Sequence, residues 1–100
     1  MIQGTTPTHI FKTPLSTENL KNVRITYAQD GVVVLTKELA DCTVNGNEVM
    51  CQLSQEETFK FDSNLPVDIQ FRALTNSGDA MASRVQRVAI VTVLDGAVLA

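Results

Sequence analysis

Between Val23 and Tyr27 the chain alternates Val23, Ile25 and Tyr27 with Arg24 and Thr26, the period of two of a strand with one wet face. Val67, Ile69 and Phe71 repeat the pattern against Asp68, Gln70 and Arg72, so both stretches predict half-buried strands. Residues 32–37 break the alternation. Val32, Val33, Val34 and Leu35 are apolar in succession, which predicts a strand covered on both faces or lying at a sheltered sheet edge. Asp30-Gly31 joins it tightly to the strand before. Cys42 and Val44 precede Asn45-Gly46, and Val49, Cys51 and Leu53 follow, which predicts a second hairpin. A two-residue loop sets Cys42 opposite Val49, and a four-residue loop sets it opposite Cys51. Both keep the same apolar face, so the register stays open.

The helical signal is confined to residues 54–61. Ser54 and Glu57 have capping-box spacing, and too few residues follow for more than one turn, near 55–58. Phe59 and Phe61 are expected to cap the core where the chain crosses between layers. The last segment, 79–94, is long for one strand, and its apolar phase shifts near Arg87, which predicts a bulge or bend. The strands then number seven, at 8–13, 20–29, 32–37, 41–45, 47–53, 66–75 and 79–94. Short strands with turn signals every eight to twelve residues predict an all-β fold, an immunoglobulin-like antiparallel sandwich in a single domain over residues 1–100. The chain departs from antibody domains in having no tryptophan and no cysteine on its second or sixth strand.

Composition narrows the function classes. A chain of 100 residues buries roughly 65% of its unfolded surface on folding, enough for one core. Apolar residues make up 44% and charged residues 19%, which argues against disorder. The net charge is −3 and the eight basic residues are scattered, so nucleic acid is not an expected partner. No apolar run approaches the roughly 20 residues of a membrane span, and no membrane partner is expected. The N-terminus has no basic run followed by an apolar core, so it does not read as a secretory signal, and the cytosol where the chain is made is the expected location. In that reducing compartment Cys42 and Cys51 are expected to be free thiols.

Candidate chemistry is sparse. The cluster Asn76-Ser77-Gly78-Asp79 has the residues of a hairpin loop. Ser77 as a nucleophile needs a base and an oxyanion hole, yet the one histidine is His9 and no Gly-x-Ser-x-Gly elbow occurs. His9, Cys42 and Cys51 offer nitrogen and sulfur ligands without the close pairing of zinc sites. The cysteines read as core fillers, and His9 as a residue facing water on an edge strand. Glu56 and Glu57 are adjacent on a helical turn and point apart, so they do not flank one bond. The one tyrosine, Tyr27, is phased with the buried face and offers no sugar platform, and the glycines are dispersed singly. No residue is assigned a catalytic, cofactor-binding or metal-ligating role, and an enzyme is not expected.

The stretches IQGTTPTHIFKTP, VRITYAQDGVVVLTKE, LSQEETFKF and VDIQFRALTNSGDAMAS together resemble small uncharacterised prophage proteins of Gram-positive bacteria, encoded near virion structural genes. More loosely, the strand order and final hairpin are similar to the immunoglobulin-like N-terminal module of phage baseplate upper proteins. The resemblance implies a non-enzymatic structural or adaptor module of a phage particle, in virion, tail or baseplate. Its partners would be phage structural proteins or a second copy of itself through a sheet edge. The alternative is a prophage-encoded regulator or inhibitor that binds a host protein through its loops at NSGD and ADCTVNGN.

Overall fold

The alternating stretches form the two longest strands, and the rest of the fold is arranged on them. The computed structural model describes all residues from Met1 to Ala100. In chain order the strands are β1 (Thr8–Lys12), β2 (Leu20–Gln29), β3 (Val32–Glu38), β4 (Thr43–Asn45), β5 (Glu48–Gln52), β6 (Val67–Thr75), β7 (Ala80–Ala82) and β8 (Gln86–Val88). One helical turn, α1 (Gln55–Thr58), and two 3-10 turns, Thr17–Asn19 and Leu39–Asp41, complete the regular structure. Ser54 and Glu57 make the capping box that their spacing predicts: Ser54 Oγ accepts from the Glu57 N–H at 3.1 Å, and Glu57 Oε1 accepts from the Ser54 N–H at 2.8 Å.

The strands build a sandwich of two antiparallel sheets. The smaller has the order β1-β5-β4, and the larger β3-β2-β6-β7, with β8 pairing the other end of β6. An immunoglobulin sandwich places strands A, B, E and D in one sheet and G, F, C and C′ in the other. The present orders correspond to B-E-D and C′-C-F-G, without strand A and with the last strand broken in two.

Between the sheets lies one core. Val23, Ile25 and Tyr27 of β2 and Val67, Ile69, Phe71 and Ala73 of β6 face Val49, Cys51 and Leu53, with Phe61 closing one side. Phe11 of β1 stacks on Phe71 of β6 with ring centroids 5.2 Å apart, so aromatic contact joins the two sheets directly. Gln29, buried at the end of β2, donates to the Asp62 and Leu65 carbonyls at 2.7 and 3.0 Å and accepts from the Asp62 N–H at 2.9 Å. That amide ties the crossing before β6 to the sheet without leaving a buried polar atom unpaired.

Turn chemistry sets the registers. Asp30 and Gly31, at φ +50° and +76°, make the two-residue turn between Gln29 and Val32, as both central residues of a type I′ turn require. In the second hairpin Asn45 pairs with Glu48, so the loop is Gly46-Asn47 rather than Asn45-Gly46. Gly46 sits at φ +61° and Asn47 does not share the left-handed region, the signature of a type II′ turn. The pairs Val44↔Val49 and Thr43↔Met50 follow, and one step further Cys42 stands opposite Cys51. A two-residue loop, shifted by one position, thus produces the register expected of a four-residue one.

Three expectations are corrected. β3 is neither covered on both faces nor sheltered: it is the outer strand of the larger sheet, with Val32 and Val33 exposed at 66% and 58%. The segment 79–94 is not one continuous strand, although the one-residue slip of a bulge is present: Ala82 pairs with Arg72 and Gln86 with Ile69, four residues against three. Ser83 ends the first part, because its hydroxyl accepts from the Phe71 N–H at 3.0 Å in place of a strand carbonyl, and pairing resumes only at β8. Beyond Val88 the chain is irregular, with Ile90 its one buried residue and a single parallel bridge between Ile2 and Val91. His9 faces the other sheet rather than water, while Ile10 is the exposed neighbour.

Candidate functional site

The polar loop after β6 is a turn, and its hydroxyls are spent on holding it. Thr75 pairs with Asp79 across a three-residue loop in which Gly78 takes φ +93°. Thr75 Oγ1 accepts from the Asp79 N–H at 3.0 Å and lies 3.0 Å from Ser77 Oγ, which donates to Asp79 Oδ2 at 3.2 Å. Asn76 donates through its backbone and side chain to the Asn19 and Glu18 carbonyls. The one histidine is engaged elsewhere, its Nδ1 2.7 Å from the Tyr27 hydroxyl, and the Asp79 carboxylate beside Ser77 serves the turn.

His9 does approach a thiol. Across β1 and β5 it pairs with Cys51, so both side chains share the inner face, where Tyr27 from the opposite sheet inserts its hydroxyl. Burial, and then the N-terminal ammonium, hold the His9 imidazole below its ordinary value. Burial, reinforced by Cys51, pushes the Tyr27 phenol well above its ordinary range. The same two causes, burial and then Cys51, push Cys42 up to about 12, and burial raises Cys51. These shifts favour neutral thiols, the opposite of what a nucleophilic cysteine requires.

Beside this group Lys37 of β3 and Glu57 of α1 form an ion pair at 2.6 Å, with side chains 14% and 19% exposed. Burial works against both charges, yet each partner outweighs it: Lys37 is held above and Glu57 below its ordinary value. Glu56 is exposed and takes no part. His9, Cys42, Cys51 and Glu57 are therefore brought near one another. No three His, Cys, Asp or Glu side chains converge as metal ligands, and neither surface hollow of appreciable size is lined by His9 or a cysteine.

The hollows lie elsewhere. One, of about 280 Å³, is an open depression on the outer face of the larger sheet, where Arg24 and Arg72 stand directly opposite each other above Leu74, Ala80 and Met81. The other, of about 340 Å³, lies between the C-terminal arm and the N-terminal turn, against Phe59, Val93 and Leu99.

The outer edge of β3 is the remaining feature. Gln29 and Val32 close the hairpin turn as a hydrogen-bonded pair, so alternation turns the N–H and C=O of Val33 away from β2 toward open space. No backbone bond outside the sheet reaches any residue from 32 to 38. Lysine is the usual residue that blunts such an edge, and here Lys37 is folded inward onto Glu57. Sequence reasoning placed Tyr27 on the buried face but missed its partner. A buried phenol was the signal that one had to exist.

No family model matches the chain, and neither a curated protein nor a solved structure does. No helix is long and apolar enough to cross a membrane.

Proposed function

We propose that the chain is a non-enzymatic structural or adaptor module that works through protein–protein contacts, with the free edge of β3 as its docking line. The observation that carries this reading is the combination at that edge: unpaired backbone, exposed Val32 and Val33, and a lysine turned away from the role of gatekeeper. A neighbouring chain adds a strand there by main-chain hydrogen bonding, with Val32 on one face and Val33 on the other to flank it with apolar surface. The resemblance of the sequence to prophage proteins supplies the setting, a phage particle in which the neighbour is a structural protein or a second copy.

Mass spectrometry of purified particles tests the setting, and light scattering across a range of concentrations tests self-assembly. Val33→Lys places a charge on the outward edge and is expected to abolish the association while leaving the far-UV spectrum and Tm unchanged. A strictly monomeric protein that is absent from particles, and whose capture of any partner is indifferent to Val33→Lys, removes the reading. Capture of a host enzyme alone supports the regulator instead.

A further inference from the structure

Cys51 donates and accepts its backbone hydrogen bonds on the β1 side, as the Leu53 N–H to Pro7 carbonyl bond two residues on requires by alternation. Its β4 side is therefore a non-hydrogen-bonded position. The turn gives the same answer independently: Asn45↔Glu48 closes a two-residue hairpin as a bonded pair, Val44↔Val49 is unbonded, Thr43↔Met50 bonded, and Cys42 opposite Cys51 unbonded. The Cys42 N–H confirms this by turning away to the Leu39 carbonyl at 3.1 Å. Non-hydrogen-bonded antiparallel pairs hold their Cα atoms about 4.5 Å apart, at the short end of the span that a disulfide bridges. Both side chains pack on the same inner face, and the Cys42 thiol donates to the Glu38 carbonyl at 3.3 Å, a bond that one χ1 rotation releases.

We infer that Cys42 and Cys51 are a cross-strand dithiol site that closes to a disulfide by exchange with a low-molecular-weight disulfide. Cys42 is half-buried and Cys51 is fully buried, which orders the steps. Base in solution takes the proton of the Cys42 thiol, which burial keeps neutral near pH 7. The thiolate so formed attacks one sulfur of the oxidant and expels the first small thiolate, leaving a mixed disulfide on Cys42; closure is therefore slow near neutrality and speeds as pH rises. The Cys51 thiolate then attacks the Cys42 sulfur and expels the second. The protons lost by the two cysteines end on the two released thiols, the protein is oxidised by two electrons, and the small disulfide is reduced by two. The bond staples the turn after β3 and the short outer strand β4 to the centre of the smaller sheet.

The test is to incubate the native protein with oxidised glutathione at about pH 9, where the thiolate fraction is larger than at neutrality, until the mass no longer changes, and to measure intact mass, tryptic linkage and Tm. The expected product is a monomer lighter by two hydrogens, with Cys42 linked to Cys51 and Tm raised by about 10 °C, reversed by a reducing thiol. In Cys42→Ser the oxidant leaves mass and Tm unchanged, because Cys51 is out of reach. In Cys51→Ala a glutathione stays on Cys42. Should that buried substitution not fold, the native linkage map and Cys42→Ser decide alone. A glutathione adduct that persists on the native protein, disulfide-linked dimers, or two thiols still free to be alkylated after unfolding overturns the inference.

Discussion

Tyr27 carries a hydroxyl into the space between the sheets, and a buried phenol that lacks a partner costs free energy. Its partner is the His9 ring nitrogen at 2.7 Å, and the two rings lie 5.5 Å apart at the centroids. Tyr27→Phe leaves the apolar contact with Phe61 intact and strands the His9 nitrogen, so it is expected to lower unfolding stability by about 1–2 kcal/mol in urea. The pair also predicts a pH limb. The folded-state pKa of His9 lies below its ordinary value of 6.5, because burial disfavours the imidazolium. The unfolded chain therefore binds the proton first, and stability, full above pH 6.5, falls as pH drops through that value toward the folded pKa. In His9→Gln this limb flattens, and a series of urea midpoints between pH 7.5 and pH 5.5 measures it. The sequence placed His9 on the wrong face because β1 has an apolar residue in each phase, Ile10 in one and Phe11 in the other. The larger ring takes the interior, where it stacks on Phe71, and His9 follows two residues away.

At the scale of elements, α1 is a single turn, too short to persist by helix propensity, so its ends must be held. Ser54→Ala removes one half of the capping box and is expected to cost about 1 kcal/mol. Glu57 serves twice, accepting from the Ser54 N–H and pairing with Lys37. Glu57→Gln keeps an acceptor for the cap but leaves the Lys37 ammonium, 14% exposed, without its counter-charge. The expected loss is about 1–2 kcal/mol, part of it recovered by adding Lys37→Met, and a double-mutant cycle in guanidinium reads the coupling. Glu57 is held below its ordinary value, so the pair's contribution is present above pH 4.5 and lost as pH falls through the folded pKa. β2, β6, the I′ turn and the capping box were all legible, because each rests on a local pattern: alternation, two residues tolerant of positive φ, a fixed spacing. The edge position of β3 was not. A run of four apolar residues reads the same in a central strand as in an outer one, since the difference lies in which neighbour is present. The break before β8 was equally hidden, because it depends on a hydrogen bond between Ser83 and Phe71, twelve residues apart.

As a whole the molecule is slender. Its Cα extents are 47 × 30 × 15 Å and its radius of gyration is 14.3 Å, above the roughly 13 Å of a compact chain of this length. Only 18 of 100 residues are buried, which leaves stability concentrated in the packed strands and little of it in the chain after β8. Val91, Val93, Leu94, Val98 and Leu99 are the exposed apolar residues of that arm. The composition of residues 89–94 favours a strand, but Val88 already pairs with Val67, the first residue of β6, so the chain runs past the end of that strand, and β3 lies at the far side of the same sheet. What holds the arm instead is the Ile2–Val91 bridge and a clamp in which Gln55 donates to the Leu99 carbonyl at 3.0 Å and accepts from the Leu99 N–H at 2.8 Å. Two exposed side-chain bonds stabilise weakly, each offset by the entropy of ordering the chain between them. Deleting residues 95–100 is therefore expected to lower unfolding stability by less than about 1 kcal/mol and to leave the oligomeric state unchanged, because the docking line proposed for the domain is β3. Amide hydrogen exchange on the intact chain gives the matching map. Val23, Ile25 and Phe71 are expected to exchange only through global unfolding, and residues 92–98 within seconds, with Leu99 slowed slightly by its clamp. Slow exchange across the arm, or dissociation of an assembly on its removal, would transfer the docking role from β3 to the C-terminal segment.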